Sequence, residues 1–269
     1  MGLHYSIPVL FILTCHEFGH YFAARFHKVE ATLPFYIPMP FFMVFLSFGT
    51  FGAVIKTRSL VPSKKAMFDI GVAGPIAGFI ATIIVLVYGF THLPGKEFIL
   101  LIHPDYFTAE ASGTGLRFGS TLLYDLLSFT LTDSANDFIP PMTEMYHYPY
   151  LLAGWFGLFI TSMNLIPAGQ LDGGHLSYTM FGDRHSILAK AAFGIITLLG
   201  LSGIAMAAGI ETGIGWYGWI LWSIIIFFVV KLDHPAVGDE TELDPVRRLI
   251  GWGVFGILVL TFSPSPFNM

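Results

Sequence analysis

Residues 73–91, 195–210 and 214–230 contain no charged side chain. Each run approaches the ~20 residues that a helix needs to cross ~30 Å of hydrocarbon. A buried helix in a soluble core does not need such length, and several such runs in one chain are harder still to house in water. Composition agrees: 54 % of the 269 residues are hydrophobic and 12 % are charged, where a soluble domain carries about 25 % charged residues. The expected fold is therefore an all-α polytopic membrane protein, a single integral-membrane domain over 1–269.

Six spans are expected, at roughly 3–24, 66–91, 147–166, 187–209, 214–231 and 248–264. Between the first two, residues 32–58 are apolar but interrupted by Pro34, Pro38, Pro40, Gly49 and Gly52, which break helices. The runs FFMVFLSF and GAVI favour extended structure, so this segment is expected to form a re-entrant β-hairpin. Non-helical backbone at that depth needs a cover of protein or a water-filled cavity.

The charge distribution orients the spans. With the N-terminus outside, eleven of the 13 basic residues fall in inside loops: Arg25, Lys28, Lys56, Arg58, Lys64, Lys65, Arg184, Lys190, Lys231, Arg247 and Arg248. Only Lys96 and Arg117 fall outside, in an acidic loop over 92–146. Within that loop, GSTLLYDLLSFTL (119–131) has the character of a short amphipathic helix lying on the membrane surface. The net charge of −5 and the lack of a basic patch exclude nucleic acid as a partner. A single cysteine, Cys15, rules out an internal disulfide. No cleavable signal peptide or transit peptide is expected, which favours a bacterial inner membrane.

The chemistry concentrates in HEFGH at 16–20. His16 and His20 are four apart, so a helix presents both imidazoles on one face, where they can hold one cation. Glu17 stands beside the first of them, placed to take a proton from water activated at the metal. Composition alone gives about 0.01 chance occurrences of this pattern in such a chain. Ionisable groups inside a membrane helix are costly and default to function. Catalytic zinc usually takes three protein ligands and leaves a position open. His27 lies beyond the helix and Glu30 lies in the following loop. The stronger third candidate is Asp172 in NLIPAGQLDGGH (164–175), where Pro167 and Gly169 interrupt the preceding apolar segment. Gly173 and Gly174 there permit close backbone approach. The spans 3–24 and 147–166 both run outside to inside, which brings His16, His20 and Asp172 to similar depth near the inner face.

These motifs resemble the site-2 protease family of intramembrane zinc metalloproteases. HEFGH on the first span and NLIPAGQLDGG later carry the likeness. ATLPFYIPMP, FGTFGAVI, SLVPSKKAMFDIGVAGPIAGF (59–79) and AGWFGLFITSMNLIPAGQLDGGH (153–175) are similar to the EGY-type chloroplast branch and its bacterial relatives. The resemblance covers most of 10–185, which gives a catalytic core over about 3–185 followed by C-terminal helices over about 187–264. It implies one Zn²⁺ per chain held by His16, His20 and Asp172, Glu17 as catalytic base, and Asn164 as a donor to the substrate backbone or the developing oxyanion. It further implies hydrolysis of peptide bonds within or near transmembrane segments of a membrane-protein substrate, such as a single-span or signalling protein, in the lipid bilayer. The site is expected near the cytoplasmic side.

Three other readings stay open. A secondary transporter would also use broken helices and intramembrane acids, but it gives no reason for HExxH. An inactive membrane scaffold would not need Glu17 together with all three ligands. A different membrane zinc protease would share HExxH without the LDG element. Of the weaker signals, GVAGPIAG (71–78) suits close helix packing better than ligand binding, and His175 suits a polar interface at least as well as the site.

Overall fold

The long apolar runs become helices, and Ser63, Thr121 and Asp244 cap the starts of three of them with side-chain oxygens. The computed structural model describes residues 2–38, 50–55, 59–107, 116–133, 137–235, 237, 239 and 241–268. Helix α1 spans Gly2–Phe26 and α2 spans Lys64–Thr91, with Ser63 at its N-cap accepting a hydrogen bond from the Ala66 N–H. Helix α3 (Lys96–Ile102) and α4 (Leu122–Leu131) lie in the segment before α5 (Pro149–Asn164). Then come α6 (Asp172–Phe181), α7 (His185–Ala207), α8 (Gly218–Ile225), which continues as a π-helical turn over Ile226–Val230, and α9 (Pro245–Thr261). Pro149 and Pro245 sit in the first turn of α5 and α9, where a missing N–H costs nothing.

Helices occupy all six segments expected to be helical, and α4 falls within the expected 119–131. Among the described residues, two helical stretches are long and apolar enough to cross a membrane by themselves, Lys64–Thr91 and Asp172–Ala207. The second joins α6 and α7 through one 3₁₀ turn at Gly182–Arg184. Helix α6 is longer order than the sequence suggests. Gly173 and Gly174 in its first turn cost helix propensity, yet they pack against the Leu165 and Gly169 carbonyls, where a Cβ would come within 2.0 and 2.1 Å of an oxygen. Close packing onto the 165–171 turn outweighs the propensity.

Strands β1 (Phe35–Pro38) and β2 (Thr50–Val54) pair antiparallel, with Phe35 opposite Val54 and Tyr36 opposite Ala53. The Tyr36 hydroxyl hydrogen-bonds the Thr14 hydroxyl and ties β1 to α1. The segment 39–49 that joins them lies outside the described residues, as do parts of the expected inside loops. A second pair, β3 (Arg117–Phe118) with β4 (Phe267–Asn268), is also antiparallel.

Among the described residues the core divides into four clusters, two of which frame the helices around the site. Helices α1, α2 and α5 enclose Val9, Ile12, Leu13, Ala81, Val85 and Ala153. An aromatic cluster around Trp155, Phe156, Phe159 and Trp219 fills the end where β3 and β4 meet. That end is also tied by polar bonds: the Trp155 indole donates to the Gly119 carbonyl at 2.7 Å, and the Trp219 indole donates to the Pro264 carbonyl at 2.9 Å. At the other end, Arg247 donates from Nε and Nη2 to the two Asp69 oxygens at 2.8 and 2.6 Å, and His27 Nε2 lies 2.8 Å from Asp69 Oδ2. This node joins α9 and α2 to the turn after α1.

Candidate metal centre

Helices α1 and α2 run antiparallel at a distance set by glycines. Gly19 of α1 packs on the Ala73 carbonyl, where an added Cβ would come within 2.5 Å of the oxygen. On α2, Gly74 faces the His20 ring and Gly78 faces the His16 ring. The small-residue stripe at 71–78 thus packs closely, as its composition implies. It also makes room for the two imidazoles, since glycine and histidine share the spacing of four.

His16 and His20 are both buried. His20 Nδ1 lies 2.7 Å from the Ile70 carbonyl oxygen. A carbonyl only accepts, so Nδ1 carries the proton and Nε2 presents its lone pair. That Nε2 lies 3.1 Å from His16 Nε2. Asp172, the first residue of α6, brings its carboxylate up from below: Oδ1 is 3.4 Å from His20 Nε2 and Oδ2 is 3.4 Å from His16 Nε2. Asn164, the last residue of α5, reaches His16 Nε2 with Nδ2 at 3.4 Å. Glu17 is buried beside this group, next to His16 on α1.

The donor set fits a cation of zinc type. Ligands held ~2.0–2.1 Å from a tetrahedral ion lie ~3.3–3.4 Å apart, close to the 3.1, 3.4 and 3.4 Å separations found here. Two imidazole nitrogens and one carboxylate leave a fourth position open. The sequence-predicted residues His16, Glu17, Asn164, His20 and Asp172 therefore all converge, from α1, α5 and α6. Neither His27 nor Glu30 joins them: His27 is taken up with Asp69, and the Glu30 backbone N–H donates to Ser59.

Sequence reasoning missed a chain of histidines behind Asp172. His175 Nδ1 lies 2.6 Å from His234 Nε2, and His234 Nδ1 lies 2.7 Å from the Pro235 carbonyl. The Pro235 contact fixes the proton on His234 Nδ1, so His175 donates to His234. The His234 backbone N–H in turn donates to His185 Nε2 at 3.0 Å. Burial pushes the His234 imidazole below its usual range, which suits a neutral ring accepting a hydrogen bond. His175 packs over Gly71 of α2, so the relay braces the first turn of α6. Its only visible signal was the spacing of His175 from Asp172.

A family profile described as peptidase family M50 matches residues 4–208. A probable chloroplastic zinc metalloprotease, EGY2 of Oryza sativa subsp. indica, is 28 % identical across 99 % of this chain and 44 % of its own length. EGY1 of Arabidopsis thaliana, likewise a probable chloroplastic zinc metalloprotease, is 28 % identical across 98 % of this chain and 43 % of its own. The EGY1 protein of Oryza sativa subsp. japonica is 30 % identical across 98 % of this chain and 41 % of its own. The chain thus spans less than half the length of these relatives. With the match running from α1 to the end of α7 and taking in all five converging residues, the chain belongs to peptidase family M50, the site-2 protease family that its motifs resemble.

Proposed function

We propose that this chain is a zinc-dependent protease that cuts membrane-protein substrates within or near their transmembrane segments. The observation that carries the reading is the convergence of His16, His20 and Asp172 donor atoms within 4.8 Å of one another, with Glu17 buried alongside. In this reading His16, His20 and Asp172 hold one zinc ion, whose Lewis acidity polarises a carbonyl and acidifies water. Glu17 takes the proton of the attacking water and delivers it to the leaving amine. Asn164 donates to the oxyanion that develops at the scissile carbonyl, a bond worth most in the transition state. The Ile70 carbonyl keeps His20 in the ligating tautomer and orientation.

Two features support a bilayer setting. The outward faces of α7, of the π-helical turn after α8 and of α9 expose Ile195, Leu198, Phe228, Val229, Leu249 and Val259, a surface that lipid solvates and water does not. Contacts at the two ends of the bundle support reading the six helical segments as alternating spans. Residues expected outside, such as Gly119, Gly215 and Ser265, meet at one end, where the Gly215 N–H donates to Ser265 Oγ at 2.7 Å. Residues expected inside meet at the other, where Lys64 N–H donates to the Asp239 carbonyl at 2.9 Å. With the basic residues read by the positive-inside rule, we infer an N-terminus outside and a metal centre toward the inner face.

A helical substrate buries its carbonyls in its own hydrogen bonds and must unwind to be cut. We assign that step to the β1–β2 pair, which takes up the unwound segment as an added strand at the membrane. The tie from Tyr36 of β1 to Thr14, two residues before His16, supports this placement. Proline substitutions along β1 or β2 are expected to impair cleavage; unchanged cleavage counts against the assignment. For the function as a whole, zinc content and cleavage of a single-span membrane substrate are compared in detergent for wild type and Glu17→Gln. Zinc retained with cleavage lost is expected. Zinc retained with no loss of cleavage refutes the protease reading.

A further inference from the structure

Among the described residues a second group of metal-type donors converges at the opposite end of the bundle: His103, Glu144 and His147. His103 caps the C-terminus of α3. Glu144 precedes and His147 ends the 3₁₀ turn Met145–His147 that leads into α5, held by the His147 N–H donating to the Glu144 carbonyl at 3.0 Å. Helix α5 has 16 residues and so separates this turn from Asn164 by about 24 Å. The two groups are distinct.

The geometry resembles that of the first centre. His103 Nε2 and His147 Nε2 lie 3.2 Å apart, and Glu144 Oε2 lies 3.7 and 3.6 Å from them. Three donors at these separations match the edges of a tetrahedron around an ion with bonds of ~2.0–2.2 Å. A plain hydrogen-bonded cluster explains the arrangement less well. One histidine can donate to the other, but Glu144 Oε2 is buried and has no hydrogen-bond partner among the described residues. At 3.6 and 3.7 Å the histidines stand too far from this oxygen to hydrogen-bond it, so its burial goes uncompensated by any hydrogen bond. A shared cation satisfies all three donors at once. A cavity of about 270 Å³ lies beside His147, lined also by His92, Leu93, Phe98 and Tyr148.

We propose that His103, Glu144 and His147 form a second site for a divalent transition cation of zinc type. Two imidazoles and a carboxylate suit zinc better than calcium or magnesium, which take oxygen ligands. The ion clasps α3 to the start of α5 across a sequence separation of 44 between its two histidines, and closing so long a loop is where a metal clip stabilises most. By fixing the outer turn of α5 it also steadies the helix whose far end carries Asn164. The site is structural: neither the turn nor α3 approaches Glu17.

Zinc per chain, measured by mass spectrometry on full-length protein stripped with chelator, reloaded with zinc and desalted in detergent, tests this. Two ions are expected in wild type, one in His16→Ala/His20→Ala, one in His103→Gln/His147→Gln, and none in the fourfold variant. If the first centre holds no zinc, wild type holds one ion, kept by His16→Ala/His20→Ala and lost by His103→Gln/His147→Gln. The proposal is overturned if His16→Ala/His20→Ala holds none, or if the second equivalent survives His103→Gln/His147→Gln. Misfolding of the double variant is separated by Glu144→Gln, which keeps shape and removes the anion. In the His16→Ala/His20→Ala background, added zinc is expected to raise Tm with Glu144 present and not with Glu144→Gln, while the two share one Tm in chelator. A zinc-dependent rise of equal size in both overturns it.

Discussion

Gly74→Ala is the smallest change aimed at the geometry of the metal centre. A Cβ on Gly74 would lie 2.1 Å from His20 Nε2 and 2.4 Å from Cδ2, where ordinary contact begins at 3.4 Å. The ring or the helix must therefore shift by roughly 1.3 Å to relieve the overlap, a gap read directly from that contact. The ring has no easy retreat, because its Nδ1 is held by the Ile70 carbonyl one turn back on the same α2. A misplacement of about 1 Å at reacting groups costs about 10²-fold in rate, and overpacking costs about 1–3 kcal/mol in stability. Gly78→Ala is the control on the same face. Its Cβ would meet His16 Cβ and Nδ1 at 3.1 Å, which a shift of a few tenths of an ångström relieves. The assay is zinc occupancy and kcat/KM on a membrane substrate, with thermal unfolding to confirm that both variants fold. Gly74→Ala is expected to lose about 10²-fold or more in kcat/KM and part of its zinc, and Gly78→Ala less than about tenfold. Full zinc and unchanged kcat/KM in Gly74→Ala refute the idea that this glycine seats the His20 ring.

Other substitutions separate the roles around the ion. Asp172→Ala is expected to abolish stoichiometric zinc binding, measured by equilibrium dialysis, while Glu17→Gln keeps it and loses about 10²–10⁴-fold in kcat. Asn164→Ala is expected to lower kcat more than it raises KM, since its bond strengthens in the transition state; a pure KM effect places it in substrate binding instead. Asp69→Asn weakens the paired bonds to Arg247 Nε and Nη2 and is expected to cost about 1–3 kcal/mol, read as a lower Tm with zinc content unchanged.

What the sequence made legible follows from which interactions are local. His16 and His20 announce themselves because a helix's own period puts them on one face. The helical segments were readable because apolar length is a property of one stretch of chain. The seat that Gly74 and Gly78 make for the histidine rings was not readable, because it depends on the register between α1 and α2. Only the small-residue stripe was visible. Helix α6 was hidden for a related reason: Pro167, Gly169, Gly173 and Gly174 look like breakers until Leu165 and Gly169 are seen packed against its first turn. His103 and His147 gave still less warning. They meet across a sequence separation of 44, and the Glu144-x-x-His147 spacing was their one local sign. Similarly, nothing in the sequence links His234 to His175, since tertiary packing alone brings them together.

The division of donors between α1 and α6 also sets an order of assembly. His16 and His20 lie on the first helix, and the groove that seats them belongs to the next, its antiparallel neighbour. A chain synthesised from its N-terminus can therefore complete this half of the centre as soon as α1 and α2 have paired. Asp172 is made only after α3, α4 and α5 and arrives when α6 docks against α2. Until then the nascent protein holds a pair of imidazoles without its carboxylate, so the centre is finished by a late docking step, and active geometry becomes a report that the whole core has assembled.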